Sequence, residues 1–480
     1  MTFNSWQFLL FYPVVLLLYF LLPKVCKWPM LLVASYFFYM CYSPDLVFLI
    51  FGTTLVSWIS SRYMEKSESR AVRRLLLTLT LLVSLGVLFF YKYFDFLSAS
   101  FAGMFGTEPY LLSLALPVGI SFYTFQTLSY VIDVYRGDVK SESNFFFYAL
   151  FVSFFPQLVA GPIERPDNLI PQLREAHKWN SEDAIKGTKH MLVGFFKKIC
   201  VADLIARSVD SVYNSPDEAG AFGIIIATVL FAVQIYCDFS GYTDIAIGCS
   251  RVMGIRLMKN FDHPYMATSI KEFWSRWHIS LSSWFRDYLY IPLGGNRCKK
   301  WRHLTNLFIV FLVSGLWHGA EWTFVIWGAV HGIYQIIGAL TSRPRRRLIE
   351  KLGFSEKSAP VIWVRRVITF VLVTAAWLVF RANNIGELGV LLSRLFSFEG
   401  GSLSEQLSAM GLSPTALAAV ILSIAILIII DRLVTYEGEG DSSAVILKNG
   451  AFVYIITAIL VCWLLLISND MISTFIYFQF

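Results

Sequence analysis

An all-α, polytopic membrane protein is the fold class this sequence predicts, and three observations predict it. Of 480 residues, 56% are hydrophobic and 15% charged, where a soluble domain carries about a quarter charged residues. The mean hydropathy is +0.60. Apolar runs long enough to cross a ~30 Å hydrocarbon core recur from one end to the other. Too few charges remain to cover a water-facing surface, so soluble multidomain arrangements are excluded. Residues 1–480 are expected to form a single transmembrane domain.

Taken in order, candidate spans fall at residues 6–22, 28–42, 44–60, 75–92, 111–132, 145–160, 187–209, 221–248, 302–340 (long enough for two), 362–381, 414–431 and 450–468, about 11–13 helices. Met1–Phe8 has no basic residue ahead of the first apolar run, so that run reads as a retained span rather than a cleaved signal. The loop Arg62–Arg74, with five Lys/Arg, and the loop Arg343–Arg347 face the cytoplasm by the positive-inside rule. Counting spans outward from them places both termini outside, Ala382–Ser413 outside, and Asp431–Gly450, with its acidic Glu437–Asp441 cluster, inside. The net charge of +7 therefore reads as loop charge rather than nucleic-acid binding. Seven cysteines, an odd number without a C-x-x-C pair, argue against a disulfide framework or a structural zinc site. No metal is expected, and no repeat of solenoid period is present.

Polar groups at membrane depth are costly and mark the places to look for chemistry. The segment Val313–Gly332, VSGLWHGAEWTFVIWGAVHG, holds two G-x-x-x-G steps, Gly315–Gly319 and Gly328–Gly332, each with a histidine (His318, His331) before its second glycine. Such glycines let helix backbones approach closely. On one continuous helix the two histidines, thirteen residues apart, would lie on roughly opposite faces. His318 reads either as a general base for an attacking hydroxyl or as a packing histidine bonded to a backbone carbonyl. Between His263 and His303, Trp274, Trp277, Leu281 and Trp284 recur at helical spacing, predicting one helix lying at the membrane interface. Lys271, Arg276, Arg286, Arg297, Lys299, Lys300 and Arg302 flank it and suit either a phosphorylated cofactor or anionic headgroups. His278 lies near its apolar face. In Tyr236–Gly248, Asp238 and Asp244 read as structural carboxylates bonded to a facing Arg, Trp or backbone N–H, or as a proton path in a transporter or flippase. The tail 469–480 ends FIYFQF, and so apolar an end is expected to fold back and bury Tyr477, whose phenol then needs a partner.

The ordered motifs FFPQLVAGPIERP (Phe154–Pro166), DFSGYTDIAIG (Asp238–Gly248), EFWSRWHISLSSWFRDYLYIPLGG (Glu272–Gly295) and SGLWHGAEWTFVIWGAVHG (Ser314–Gly332) resemble the membrane-bound O-acyltransferase family, in its alginate O-acetyltransferase-like bacterial branch. The resemblance implies a ring of tilted helices around a central acyl-transfer tunnel, with the motif core at 154–332. It implies acetyl-CoA or another acyl-CoA as cytoplasmic donor, and a hydroxyl acceptor on an extracytoplasmic polysaccharide, with a lipid or protein acceptor as the alternative. The family's catalytic histidine falls on His318, and a second family histidine on His278. FIYFQF is similar to the C-terminal motif of the small membrane partner of teichoic acid D-alanylation, which puts an acyl-carrying tyrosine at Tyr477. Arg276, Arg286 and Trp277 are then expected at the cofactor. A bacterial inner-membrane location and an extracytoplasmic transfer partner complete the expectation.

Overall fold

The computed structural model describes residues 1–42, 44–159, 161–397, 401–436, 444–446, 461 and 475. They are helical apart from loops and one short antiparallel ribbon, Val434–Tyr436 paired with Ala444–Ile446 in the register Val434↔Ile446. The expected span 450–468, apart from Val461, and Tyr477 lie outside the described residues. Contacts group the chain into two compact units. The first takes Met1–Phe195, Gly241–Met258 and Val434–Leu460; the second takes Phe196–Ser240, Lys259–Leu433 and Val461–Phe480.

Within the first unit, one helix is built inside-out relative to a helix of a soluble protein. On the helix Val47–Lys66 the buried positions include Thr53, Thr54, Ser57, Ser60 and Ser61, while Phe48 and Phe51 are exposed. Small hydroxyl residues let helices pack closely, and apolar side chains face lipid at no cost. The hydroxyls do not go unpaired: Thr54 Oγ1 donates to the Ile50 carbonyl at 2.6 Å, and Ser57 meets the Tyr148 hydroxyl at 3.0 Å.

Among the described residues, six helices are long and apolar enough to cross a membrane: Val47–Lys66, Arg70–Phe105, Ala221–Val252, Trp322–Lys351, Ala359–Arg381 and Pro414–Asp431. Other apolar runs depart from expectation. The run expected at 145–160 is a nine-residue helix, Phe145–Ser153, buried from Phe147 onward. A run of that length is a core helix rather than a span, and hydropathy cannot tell burial in protein from burial in lipid. Residues 187–209 fold as Ser181–Phe195, a π-helical stretch Phe196–Asp203 and Leu204–Tyr213.

Within the second unit, Lys198 joins two carboxylates, Asp238 at 2.5 Å and Asp203 at 2.9 Å. The first unit holds Asp244 beside His190 at 4.0 Å. Asp238 is thus a paired structural carboxylate, though its partner is a lysine rather than the arginine, tryptophan or backbone N–H the sequence suggested. A buried pair of this kind contributes little net stability, yet losing one partner strands the other, at about 3–5 kcal/mol.

His263 carries a second lock. Its Nδ1 meets Asp262 Oδ1 at 3.0 Å and its Nε2 meets the Asp431 carbonyl at 2.5 Å. Both partners only accept, so both ring nitrogens must donate and the ring is an imidazolium. Its pKa is accordingly raised, first by the hydrogen bond to Asp262, against the opposing effect of burial. A raised folded-state pKa gives stability that is full below the ordinary histidine value near 6.5 and is lost as pH rises through the raised value. His263→Gln should therefore lower the thermal midpoint at acidic pH, by an amount equivalent to roughly 1–3 kcal/mol. The gap to wild type should close in alkaline buffer; a gap independent of pH would contradict the charged lock.

Candidate active site

The helix Lys300–His318 stops because Gly319 turns extended (φ −159°, ψ 153°). After Ala320 and Glu321, a second helix, Trp322–Lys351, runs back antiparallel. Gly315 and Gly328 meet at the crossing. A Cβ on Gly315 would stand 2.3 Å from the Phe324 carbonyl oxygen, and one on Gly328 would stand 2.4 Å from that of Phe311. The close approach expected of the G-x-x-x-G steps is thus present, one glycine coming from each motif.

The break at Gly319 overturns the opposite-faces expectation for the histidines. His318 ends one helix and His331 lies on the next, and both pack on the buried Trp327 ring at 4.9 Å. Trp317 lies edge-on to His318 at 5.0 Å, and Phe380, from the helix Ala359–Arg381, closes it at 5.9 Å. His318 is buried, with its Nδ1 2.6 Å from the Ser314 carbonyl. A carbonyl only accepts, so Nδ1 carries the proton and Nε2 of the neutral ring keeps a lone pair. The carbonyl contact named as the packing alternative is therefore present, and it is also what leaves Nε2 basic. His331 has the opposite tautomer when neutral: Trp274 Nε1–H donates to its Nδ1 at 3.1 Å.

His278 arrives from a third direction. The helix expected through Trp274–Trp284 is two seven-residue helices, Ile270–Arg276 and Ile279–Phe285, with His278 between them at φ +46°. Trp274, Trp277, Leu281 and Trp284 are all buried in protein, so the helical spacing identified a core face rather than a lipid-lying one. The left-handed turn at His278 is the reason one helix became two. The His278 ring lies 6.0 Å from Trp317, which also touches His318, and 4.7 Å from Phe239. Its pKa is pushed well below the ordinary range, mainly by burial and then by His318. His278, kept neutral by burial, and His318 thus share the Trp317 wall, an arrangement suited to taking a proton from a hydroxyl.

The expected cofactor residues each have a protein partner. Trp277 is fully buried, stacked on Phe273 at 5.5 Å and tilted against Trp377 at 5.2 Å. Arg276 is engaged by Glu272 at 2.8 Å and the Asp262 carbonyl at 3.3 Å. Arg286 is exposed and holds its neighbour Asp287 at 2.8 Å. Tyr477 lies outside the described residues. Phe475, two positions earlier, is buried with its ring 6.2 Å from Phe239. Sequence reasoning passed over Phe380, Trp377 and Asn260, which complete the surroundings; no periodicity singles them out, since they come from distant segments.

The family profile described as MBOAT, membrane-bound O-acyltransferase family, matches residues 138–379. The chain is 41% identical over 416 residues to the probable alginate O-acetylase AlgI of Pseudomonas aeruginosa, covering 84% of this chain and 76% of that one. It is 34% identical over 435 residues to the peptidoglycan O-acetyltransferase of Helicobacter pylori, covering 84% and 81%. A shorter match, 29% identical over 231 residues, relates 45% of the chain to 57% of the teichoic acid D-alanyltransferase of Bacillus subtilis.

Proposed function

The chain belongs to the membrane-bound O-acyltransferase family, and from that premise we propose that it carries acetyl groups from cytoplasmic acetyl-CoA across the membrane for O-acetylation of an extracytoplasmic polysaccharide. The observation that carries the reading is the buried His318 ring, oriented by the Ser314 carbonyl so that Nε2 of the neutral ring carries the lone pair. The relatives supply the chemical class: those covering most of the chain are named for acetyl transfer to alginate or peptidoglycan. Both termini are assigned to the outside by the distribution of basic loops.

In the proposed reaction, His318 Nε2 takes the proton of the Tyr477 phenol, whose pKa near 10 makes a base necessary at neutral pH. The phenolate oxygen bonds to the thioester carbonyl carbon and the C–S bond breaks. Coenzyme A leaves as the thiol, taking the proton back from the imidazolium. A glycan hydroxyl then attacks the aryl ester on an extracytoplasmic partner protein, and the phenol is regenerated. The burial of Phe475 near Phe239 supports a tail that folds inward, because two residues of extended chain reach about 7 Å and Phe239 packs on His278. Arg286, which is exposed, is assigned to the coenzyme phosphates. Arg276 and Trp277, already engaged in the protein, are assigned to packing. The transporter alternative has less support, since Asp238 and Asp244 lie beside Lys198 and His190.

Mass spectrometry of the C-terminal peptide after incubation with acetyl-CoA tests the relay. Wild type should carry one acetyl group on Tyr477. Tyr477→Phe should carry none and lose at least about a hundredfold in polymer acetylation. Active wild-type protein without the adduct would leave direct transfer to the acceptor in its place.

A further inference from the structure

We infer that Asn260 is the positioning residue that keeps His278 a neutral proton acceptor at the acyl-transfer site, an inference that rests on His278 belonging to that site. Three donors converge on one oxygen. Asn260 Oδ1 lies 3.3 Å from the Ser280 backbone nitrogen, 2.9 Å from Ser280 Oγ and 3.1 Å from His278 Nδ1. A backbone N–H can only donate, so the amide atom facing it is oxygen, which removes the usual ambiguity of an amide flip. An oxygen only accepts, so His278 Nδ1 carries its proton and the lone pair is on Nε2.

The rest of the local structure serves that contact. The Asn260 carbonyl accepts from Ile279 N–H at 2.9 Å, and Asp262 N–H donates to the Arg276 carbonyl at 2.9 Å. Segment 260–262 is thereby clamped alongside 276–279, on both sides of the left-handed His278. A non-glycine residue at positive φ costs about 1–2 kcal/mol and persists where its surroundings fix it. Asn260 is itself fully buried, and its Nδ2 has no hydrogen-bond partner among the described residues. A buried amide donor left unpaired costs about 1–3 kcal/mol, so this side chain is not optimised for stability. Its oxygen is what the site uses.

An aspartate would supply the same oxygen without an orphan donor, but its charge would stabilise the imidazolium. A protonated His278 has no lone pair to offer. Asparagine fixes the tautomer and leaves the ring uncharged. The titratable group that faces His278 from the helix Lys300–His318 is His318. Phe239, from the helix Ala221–Val252, and Trp317 are apolar walls.

The test joins a spectrum with a pH profile. Histidine-selective ¹⁵N solid-state NMR of the full-length protein in lipid, with His278→Ala used to assign the signal, should show Nδ1 protonated and Nε2 bare at neutral pH. Asn260→Asp should protonate both nitrogens and move the acidic limb of thioester release upward by about one pH unit or more. Its rate at pH 7 would fall about tenfold and recover in alkaline buffer. Asn260→Leu should mix the tautomers and lose activity at every pH. A wild-type ring protonated on Nε2, or Asn260→Asp and Asn260→Leu both with wild-type rate and profile, overturns the inference, and the wild-type spectrum decides even where a variant does not fold. Full activity in His278→Ala would instead remove His278 from the acyl-transfer site, whatever its tautomer.

Discussion

His318→Ala loses acetyl transfer while the protein remains folded. General-base catalysis contributes typically 10²–10⁴-fold, and the decline should be of that order in both thioester release and polymer acetylation. The loss follows from geometry: Ser314 holds Nδ1, and the ring is walled by Trp317, Trp327 and Phe380. Alanine keeps the helix, since it is the best helix former, and removes only the base. The measurement is release of coenzyme A from acetyl-CoA by purified protein, beside a thermal midpoint to establish folding. A folded variant with normal turnover would assign the base to another residue, with His278 the first to examine.

Gly328→Val is expected to abolish folding of the hairpin altogether. The new Cβ would lie 2.4 Å from the Phe311 carbonyl oxygen and 3.1 Å from Gly315 Cα. Both are backbone atoms, so relief requires the two helices to separate. Overpacking a tight contact costs typically 1–3 kcal/mol and occasionally more, and here separation would also pull His318 and His331 away from Trp327. Little monodisperse protein should be recovered in detergent. Gly338→Val supplies the control: it lies on the same helix, and its Cβ would meet nothing within 4 Å. If both substitutions behaved alike, helix propensity rather than close approach would be the cause.

The two glycine predictions show how far sequence pattern reaches. The G-x-x-x-G steps announced a close helix contact, and the motif around Trp317–Gly319 singled out His318. The pattern could not announce that Gly315 faces Gly328, because that pairing depends on the reversal at Gly319. With Phe324 Cε2 2.1 Å from where a Cβ would stand, Gly319 is where the chain can turn, and the turn brings His318 and His331 onto one tryptophan. A helical wheel drawn through both motifs placed them apart.

The tryptophans of 274–284 give the complementary case. Their spacing correctly identified a buried stripe, but apolar burial looks the same whether lipid or protein covers it. His278 decided the matter by taking a left-handed conformation that splits the stripe into two short helices. Asn260 was invisible for a different reason. It acts eighteen residues away from His278, and one polar residue in a loop carries no periodic signal.

Sequence alone determined the membrane-embedded helical class and the family motifs, and it pointed to His318, because composition and ordered local motifs are properties of the chain itself. Only tertiary structure decided which apolar runs are core rather than span, which carboxylates are paired, and which nitrogen of His278 is held by an acceptor. Those outcomes depend on partners brought together from distant segments, and a hydrogen bond between such segments leaves no trace in the spacing of either one.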